Sequence, residues 1–207
     1  MSATPAHRGA GRVQPEEPSN WNIANYLTVA RIGLVPVFGW LLLSAPNDTH
    51  WMRWAALAVF AIAALTDRYD GYLARERGLE TWVGAVADPI ADKALTGFAL
   101  VGLSILGEVP WWMTIIILVR EWGITLLRFW VIRYGVISAS PGGKLKTVLQ
   151  MVALIAYLVP LPDPLDPVLY VLMLAAVLVT LATGVDYIFR AIALRRAGLA
   201  ERRASQR

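Results

Sequence analysis

The amino-acid sequence predicts an all-α integral membrane protein whose six transmembrane helices form one bundle. Three observations predict it. Of 207 residues, 57% are hydrophobic and 16% charged, with a mean hydropathy of +0.53, well outside the range of soluble domains. Six apolar stretches each approach the roughly 20 residues that a helix needs to cross hydrocarbon, where only internally hydrogen-bonded backbone is tolerated. The connections between them alternate in charge. Cysteine is absent, which excludes disulfides, thiolate metal sites and a cysteine nucleophile, and leaves oxygen and nitrogen as metal ligands.

Residues 1–20 are rich in Pro, Gly, Ala and charge and lack the apolar core of a cleavable signal, so they are expected to form a mobile cytoplasmic tail. Residues 21–194 form one membrane domain, with spans expected at Ile23 to Ser44, Met52 to Arg75, Trp82 to Leu106, Trp111 to Ile132, Leu145 to Leu161 and Val168 to Leu194. Residues 195–207 are a basic cytoplasmic tail suited to anionic lipid. Arg75 and Arg77, then Arg133, Lys144 and Lys146, then the bases from Arg190 onward, occupy alternate ends of the spans. Asp48, Glu108, Asp163 and Asp166 occupy the others, with Arg53 as the single base there. The positive-inside rule therefore puts both termini and the loops after spans two and four in the cytoplasm. Trp51, Trp54, Trp111 and Trp112 fit an aromatic belt on the outer side. The net charge of +4 then belongs to topology and anionic headgroups rather than to nucleic acid.

The chemistry concentrates at the junction of spans two and three, where the chain reads Asp67-x2-Asp70-Gly71-x2-Ala74-Arg75-x8-Gly84-x3-Asp88-x3-Asp92. Steps of three and four residues put Asp67, Asp70, Gly71, Ala74 and Arg75 on one helical stripe, and Gly84, Asp88 and Asp92 on another. Four carboxylates brought together beside hydrocarbon need a counter-charge. Their number and hardness suit Mg2+ or Mn2+, and two such ions can bridge a diphosphate. Gly71, Ala74 and Gly84 allow close approach, and Arg75 can fork onto phosphate oxygens. For each residue alone, a solvated cap or a helix-packing position is the ordinary explanation, but eight specified identities at fixed spacing leave little room for it. A divalent cation transporter is the alternative of a different class. Transport sites, however, tend to lie near the bilayer midplane, whereas these aspartates flank a charged cytoplasmic loop.

This pattern resembles, without departure, the signature of the CDP-alcohol phosphotransferase family, and the resemblance covers nearly the whole chain. It implies that family's six-helix membrane fold, usually a homodimer, in a bacterial cytoplasmic membrane with the active site facing the cytoplasm. It also implies metal-dependent attack of an alcohol hydroxyl on a CDP-activated lipid such as CDP-diacylglycerol, with release of CMP. Carried over, Asp67, Asp70 and Asp88 hold the metals, and Asp92 shares in metal binding or acts as general base. Gly71, Ala74, Arg75 and Gly84 line the CDP site together with Asp67. Asn25, Thr28 and Arg31, in a stretch similar to the family's N-x-L-T-x-x-R, join them; the structural alternative for Arg31 is a boundary residue that snorkels.

The acceptor is read from charges outside the aspartate pattern. Arg120, Glu121 and Arg128 lie within span four, where charge is functional by default, and Lys144 and Lys146 follow Gly142-Gly143 at the start of span five, where free backbone N–H groups favour anions. A contact between Arg120 and Glu121 is the structural alternative, although adjacent residues do not face each other on a helix. Arg120, Arg128, Lys144 and Lys146 are expected to bind an acceptor phosphate. The patterns Arg120-Glu121-x5-Leu127-Arg128 and Gly143-Lys144-x-Lys146-Thr147-x-x-Gln150 resemble the branch of the family whose acceptor is glycerol 3-phosphate. Phosphatidylglycerol, giving cardiolipin, and inositol phosphate are the alternative acceptors. Asp186 is expected to pack or sit at the interface, outside the metal site.

Overall fold

The computed structural model describes residues 23–44, 50–77, 82–132, 141–161 and 165–204, with side chains described at 26–44, 50–66, 90–132, 142–161 and 165–199. The amino-terminal tail 1–20 lies outside the described residues. Six helices account for the chain's described elements: α1 Ile23–Leu43, α2 His50–Arg77, α3 Trp82–Ile105, α4 Trp111–Val131, α5 Pro141–Leu158 and α6 Asp166–Ala204. Each coincides with an expected span. Two boundaries differ for physical reasons. α5 begins four residues early, at a proline whose fixed φ suits the first helical position. α6 continues ten residues past Leu194, because Arg195 to Ala204 are mostly strong helix formers, so most of the expected basic tail is helix.

The helices pack as two groups of three. α1 lies against α2 and α3, while α4 and α5 both lie against α6; contacts of α2 with α5 and of α3 with α4 and α5 join the groups. On α1 the inward stripe is Thr28, Arg31, Val35, Phe38 and Leu42, all buried, at the alternating steps of three and four that place residues on one helical face. It starts polar and turns apolar. α5 repeats this with Lys146 and Gln150 followed by Leu154 and Leu158, and α6 shows the reverse order, from Met173 and Val177 to Thr180. One end of the bundle is therefore polar inside and the other apolar.

The apolar end is closed by a short α3–α4 turn. Gly107 adopts φ +78 there, a conformation glycine reaches without penalty, and the N–H groups of Glu108 and Val109 return to the Leu103 carbonyl at 3.0 and 3.3 Å. Arg53 at the start of α2 donates Nη1 to Glu108 Oε1 at 2.7 Å, Nη2 to Glu108 Oε2, and Nη2 to the Tyr157 carbonyl near the end of α5 at 2.7 Å. These bonds gather the α2 start, the α3–α4 turn and the α5 end on one side, so the α2–α3 and α4–α5 connections fall on the other. The lone base of the acidic end is thereby explained: it neutralises Glu108.

The outward faces are as apolar as the core. Trp40, Val119, Leu126, Phe129 and Phe189 are 62–68% exposed, which water would not favour over so much contiguous area. By length and composition two described stretches, Tyr26–Leu43 and Asp166–Leu199, are apolar enough to cross a membrane, and His50–Thr66 is a shorter apolar helix. α4 is interrupted by Arg120, Glu121 and Arg128.

Candidate active site

At the polar end, α2 and α3 meet through the connection after Arg77. With a rise of about 1.5 Å per residue, Asp67 and Asp70 lie roughly 15 and 10 Å from the end of α2, and Asp88 and Asp92 roughly 9 and 15 Å from the start of α3. The backbone therefore sets the two pairs at matching depths. The side chains of Asp67, Asp70, Gly71, Ala74, Arg75, Gly84 and Asp88 lie outside the described residues, as does that of Asn25. Asp92 is described and exposed. Among the described residues no three acidic or histidine side chains stand together.

Beside Asp92, three helices bring charge inward and a fourth, α6, supplies a hydroxyl. Lys146 of α5 is 5% exposed and forms an ion pair with Glu121 Oε1 of α4. The same oxygen receives Arg120 Nη1 at 3.3 Å. Arg120 crosses to α6, where Nη2 donates to Thr183 Oγ1 at 3.0 Å and the side chain lies over Gly184, so closely that a Cβ there would stand 3.2 Å from Arg120 Cγ. Thr183 is itself held by donating to the Val179 carbonyl at 2.7 Å. The charges of Arg120, Asp92 and Lys93 all act on Lys146, and those of Asp92 and Arg128 act on Lys93. Two cations thus share one carboxylate, with Asp92 within electrostatic reach.

Between α3, α4 and α5, a narrow crevice is lined by Lys93, Thr96, Glu121 and Gln150 on its polar side and by Leu100, Ile117, Leu118 and Trp122 on its apolar side. Lys93 is not among the residues that the sequence points to, though a lysine about three turns into an apolar stretch is the signal that could have found it. Thr183 carries no such signal; only the docking of α6 onto α4 reveals it.

The four residues expected to bind acceptor phosphate divide. Arg120 and Lys146 meet on Glu121. Arg128, two turns further along α4 and exposed, donates Nε to the Tyr187 hydroxyl at 3.3 Å and lies 5.9 Å from that ring's centroid. Lys144 is exposed at the start of α5. On α1, Thr28 and Arg31 are 2% and 1% exposed, so Arg31 points into the bundle and does not snorkel to a boundary. Asp186 pairs with Arg190 at 2.9 Å on an exposed face.

A family model for CDP-alcohol phosphatidyltransferase matches residues 21–182. The chain belongs to the CDP-alcohol phosphatidyltransferase family. The match takes in the aspartate pattern and the cluster residues of α4 and α5, while Thr183 and Tyr187, which hold Arg120 and Arg128, lie just beyond it. Among curated relatives, a probable phosphatidylglycerophosphate synthase of Mycobacterium tuberculosis (strain H37Rv) is 53% identical over 171 residues, covering 83% of this phosphatidyltransferase and 82% of the relative. The CDP-diacylglycerol--glycerol-3-phosphate 3-phosphatidyltransferase of Bacillus subtilis (strain 168) is 37% identical, covering 81% and 93%. That of Escherichia coli (strain K12) is 39% identical, covering 65% and 75%.

Proposed function

We propose that this CDP-alcohol phosphatidyltransferase transfers the phosphatidyl group of CDP-diacylglycerol to glycerol 3-phosphate, giving phosphatidylglycerophosphate and CMP. The observation that carries it is the pairing of buried Lys146 with partly buried Arg120, within electrostatic reach of Asp92: a site for an acceptor's phosphate near a carboxylate that can take the proton of its hydroxyl. The names of the relatives agree. An acceptor without a phosphomonoester would leave two inward-facing cations facing one carboxylate.

In the reaction, the acceptor hydroxyl oxygen bonds to the phosphorus that carries diacylglycerol, the bond from that phosphorus to the CMP oxygen breaks, and the hydroxyl proton passes to Asp92. Lys146 and Arg120 hold the acceptor phosphate, so that the hydroxyl is presented to the donor, and such positioning supplies much of the catalysis in phosphoryl transfer. Thr28 and Arg31, buried on α1, together with Asn25, Gly71, Ala74, Arg75 and Gly84, form the CDP side of the site. Asp67, Asp70, Asp88 and Asp92 are an oxygen-only set at matched depths, which fits two Mg2+ or Mn2+ ions. Bound there, the metals offset negative charge on the diphosphate and on the departing CMP.

We place the bundle in a bacterial cytoplasmic membrane with six spans, both termini and the polar end cytoplasmic, and the chain in a homodimer. Supporting the membrane reading are the apolar outward faces and the exposed tryptophans 51, 54, 111 and 112 at the acidic end. The deciding experiment incubates purified protein and Mg2+ or Mn2+ with CDP-diacylglycerol and, separately, glycerol 3-phosphate, inositol phosphate or phosphatidylglycerol. CMP release with glycerol 3-phosphate is expected. Release with inositol phosphate or phosphatidylglycerol alone would overturn the choice of acceptor.

A further inference from the structure

Lys146 and Arg120 account for an acceptor's phosphate, yet the crevice beneath them carries hydrogen-bond acceptors that no phosphate can use. Gln150 stands one turn after Lys146 on the same face of α5, is 5% exposed, and its Oε1 has no hydrogen-bond partner among the described residues. Glu121 receives both cations on Oε1. Both residues line the same crevice, which also contains Thr96 and Lys93. A buried acceptor left without a donor costs on the order of 1–3 kcal/mol, so Gln150 Oε1, in the crevice that the Glu121 carboxylate also lines, calls for a donor that arrives from outside. The donor must be neutral and accompany an anion: an alcohol hydroxyl on the same molecule as the phosphate.

Resting on the glycerol 3-phosphate reading of this site, we infer that Glu121 and Gln150 bind the acceptor's non-reacting middle hydroxyl and thereby decide which phosphorylated alcohol is used. The crevice is narrow, and Lys146 contacts Glu121 at its edge. The acceptor phosphate draws Lys146 onto itself, and the freed Glu121 carboxylate and Gln150 Oε1 accept from the hydroxyl. Phosphate takes the place of the carboxylate as the lysine's counter-ion, so Lys146 is not left as an unpaired buried charge. The apolar wall of Leu100, Ile117 and Leu118 closes the crevice below, which favours a short acceptor over a bulky one.

The test compares glycerol 3-phosphate with 3-hydroxypropyl phosphate, which keeps the phosphate and the terminal hydroxyl but lacks the middle one. A site built to hydrogen-bond a hydroxyl rejects the analogue lacking it, so wild-type protein should prefer glycerol 3-phosphate by about a hundredfold in kcat/KM. Gln150→Leu and Glu121→Gln should each reduce this preference to below about tenfold, with the KM for CDP-diacylglycerol unchanged, while Gln150→Glu, which retains an acceptor oxygen, should preserve it. Calorimetric dissociation constants for the two phosphates supply the same ratio for any variant too slow to assay. Wild-type protein that treats the two acceptors alike, variants that keep the full preference, or variants that lose both acceptors equally would each overturn the inference. Failure of the wild type to release CMP with glycerol 3-phosphate would instead overturn the acceptor reading itself, which separates the two.

Discussion

Two charged clusters stand at opposite ends of the bundle and are built on different arithmetic. At the apolar end Arg53 meets Glu108 through both η nitrogens and caps the Tyr157 carbonyl: one cation, one anion, net charge zero, three elements tied. At the polar end Arg120 and Lys146 share a single oxygen of Glu121, Arg120 Nε and Gln150 Oε1 have no partner among the described residues, and Asp92 stands within reach. The first cluster is balanced in charge, although Arg53 Nε also has no partner among the described residues. The second splits one carboxylate oxygen between two cations and keeps the Gln150 Oε1 acceptor spare, which is the condition of a site awaiting a ligand. An ion pair inside a helical membrane protein is therefore not by itself a sign of function; its imbalance is.

The largest expected effect lies at the polar end. Asp92→Asn removes the group assigned to the acceptor proton and should lower CMP release by about 10²-fold or more, with CDP-diacylglycerol binding still detectable; full retained activity would remove Asp92 from its role. Next, Lys146→Met should raise the KM for glycerol 3-phosphate by about tenfold or more, the loss of one charge-assisted hydrogen bond to phosphate, while the donor KM holds steady. A parallel rise in both constants would mean that Lys146 supports the whole bundle and that the two ends are alike.

The apolar end should respond in the opposite currency. Arg53→Ala should cost about 1 kcal/mol of stability, since it removes an ion pair to an exposed Glu108 and a hydrogen bond to the Tyr157 carbonyl, measured as a lower melting temperature in detergent with both KM values unaltered. Gly102→Ala makes the same point through packing: a Cβ there would lie 2.6 Å from Leu42 Cδ2, and Leu42 is fully buried, so overpacking of about 1–3 kcal/mol is expected. The smallest effect belongs to Gly184→Ala, whose Cβ would press on Arg120 at 3.2 Å. A long side chain can yield a few tenths of an ångström, so the acceptor KM should shift by only about two- to fivefold with little change in melting temperature. A large stability loss at Gly184 would erase the distinction between the two ends.

Most of the fold could be read from the chain. Six apolar stretches became six helices, and the alternation of basic and acidic connections matches the ends on which Arg53 and Glu108 meet. Where boundaries moved, local chemistry explains them: Pro141 can open a helix and Arg195 to Ala204 can prolong one. The candidate site was legible to different degrees. The aspartate pattern could be read because its residues repeat at helical spacing within two neighbouring segments. The acceptor cluster was only half legible: Arg120 and Lys146 were expected together, but Arg128 instead leans on Tyr187, and Lys93 went unnoticed beside the more telling Asp92.

By itself the sequence determined the class of the molecule and the polarity of its two ends, because hydropathy, charge placement and helical periodicity are properties of contiguous residues, and its resemblance to a known signature implied the reaction type. Only the tertiary structure decided which charges meet. Arg120 and Glu121 are adjacent on α4, yet Lys146, 25 residues beyond Glu121, and Thr183, 63 beyond Arg120, complete their surroundings. Coulombic and hydrogen-bonding partners are chosen by distance in space, and that distance is set by how α5 and α6 dock against α4, which no single segment specifies.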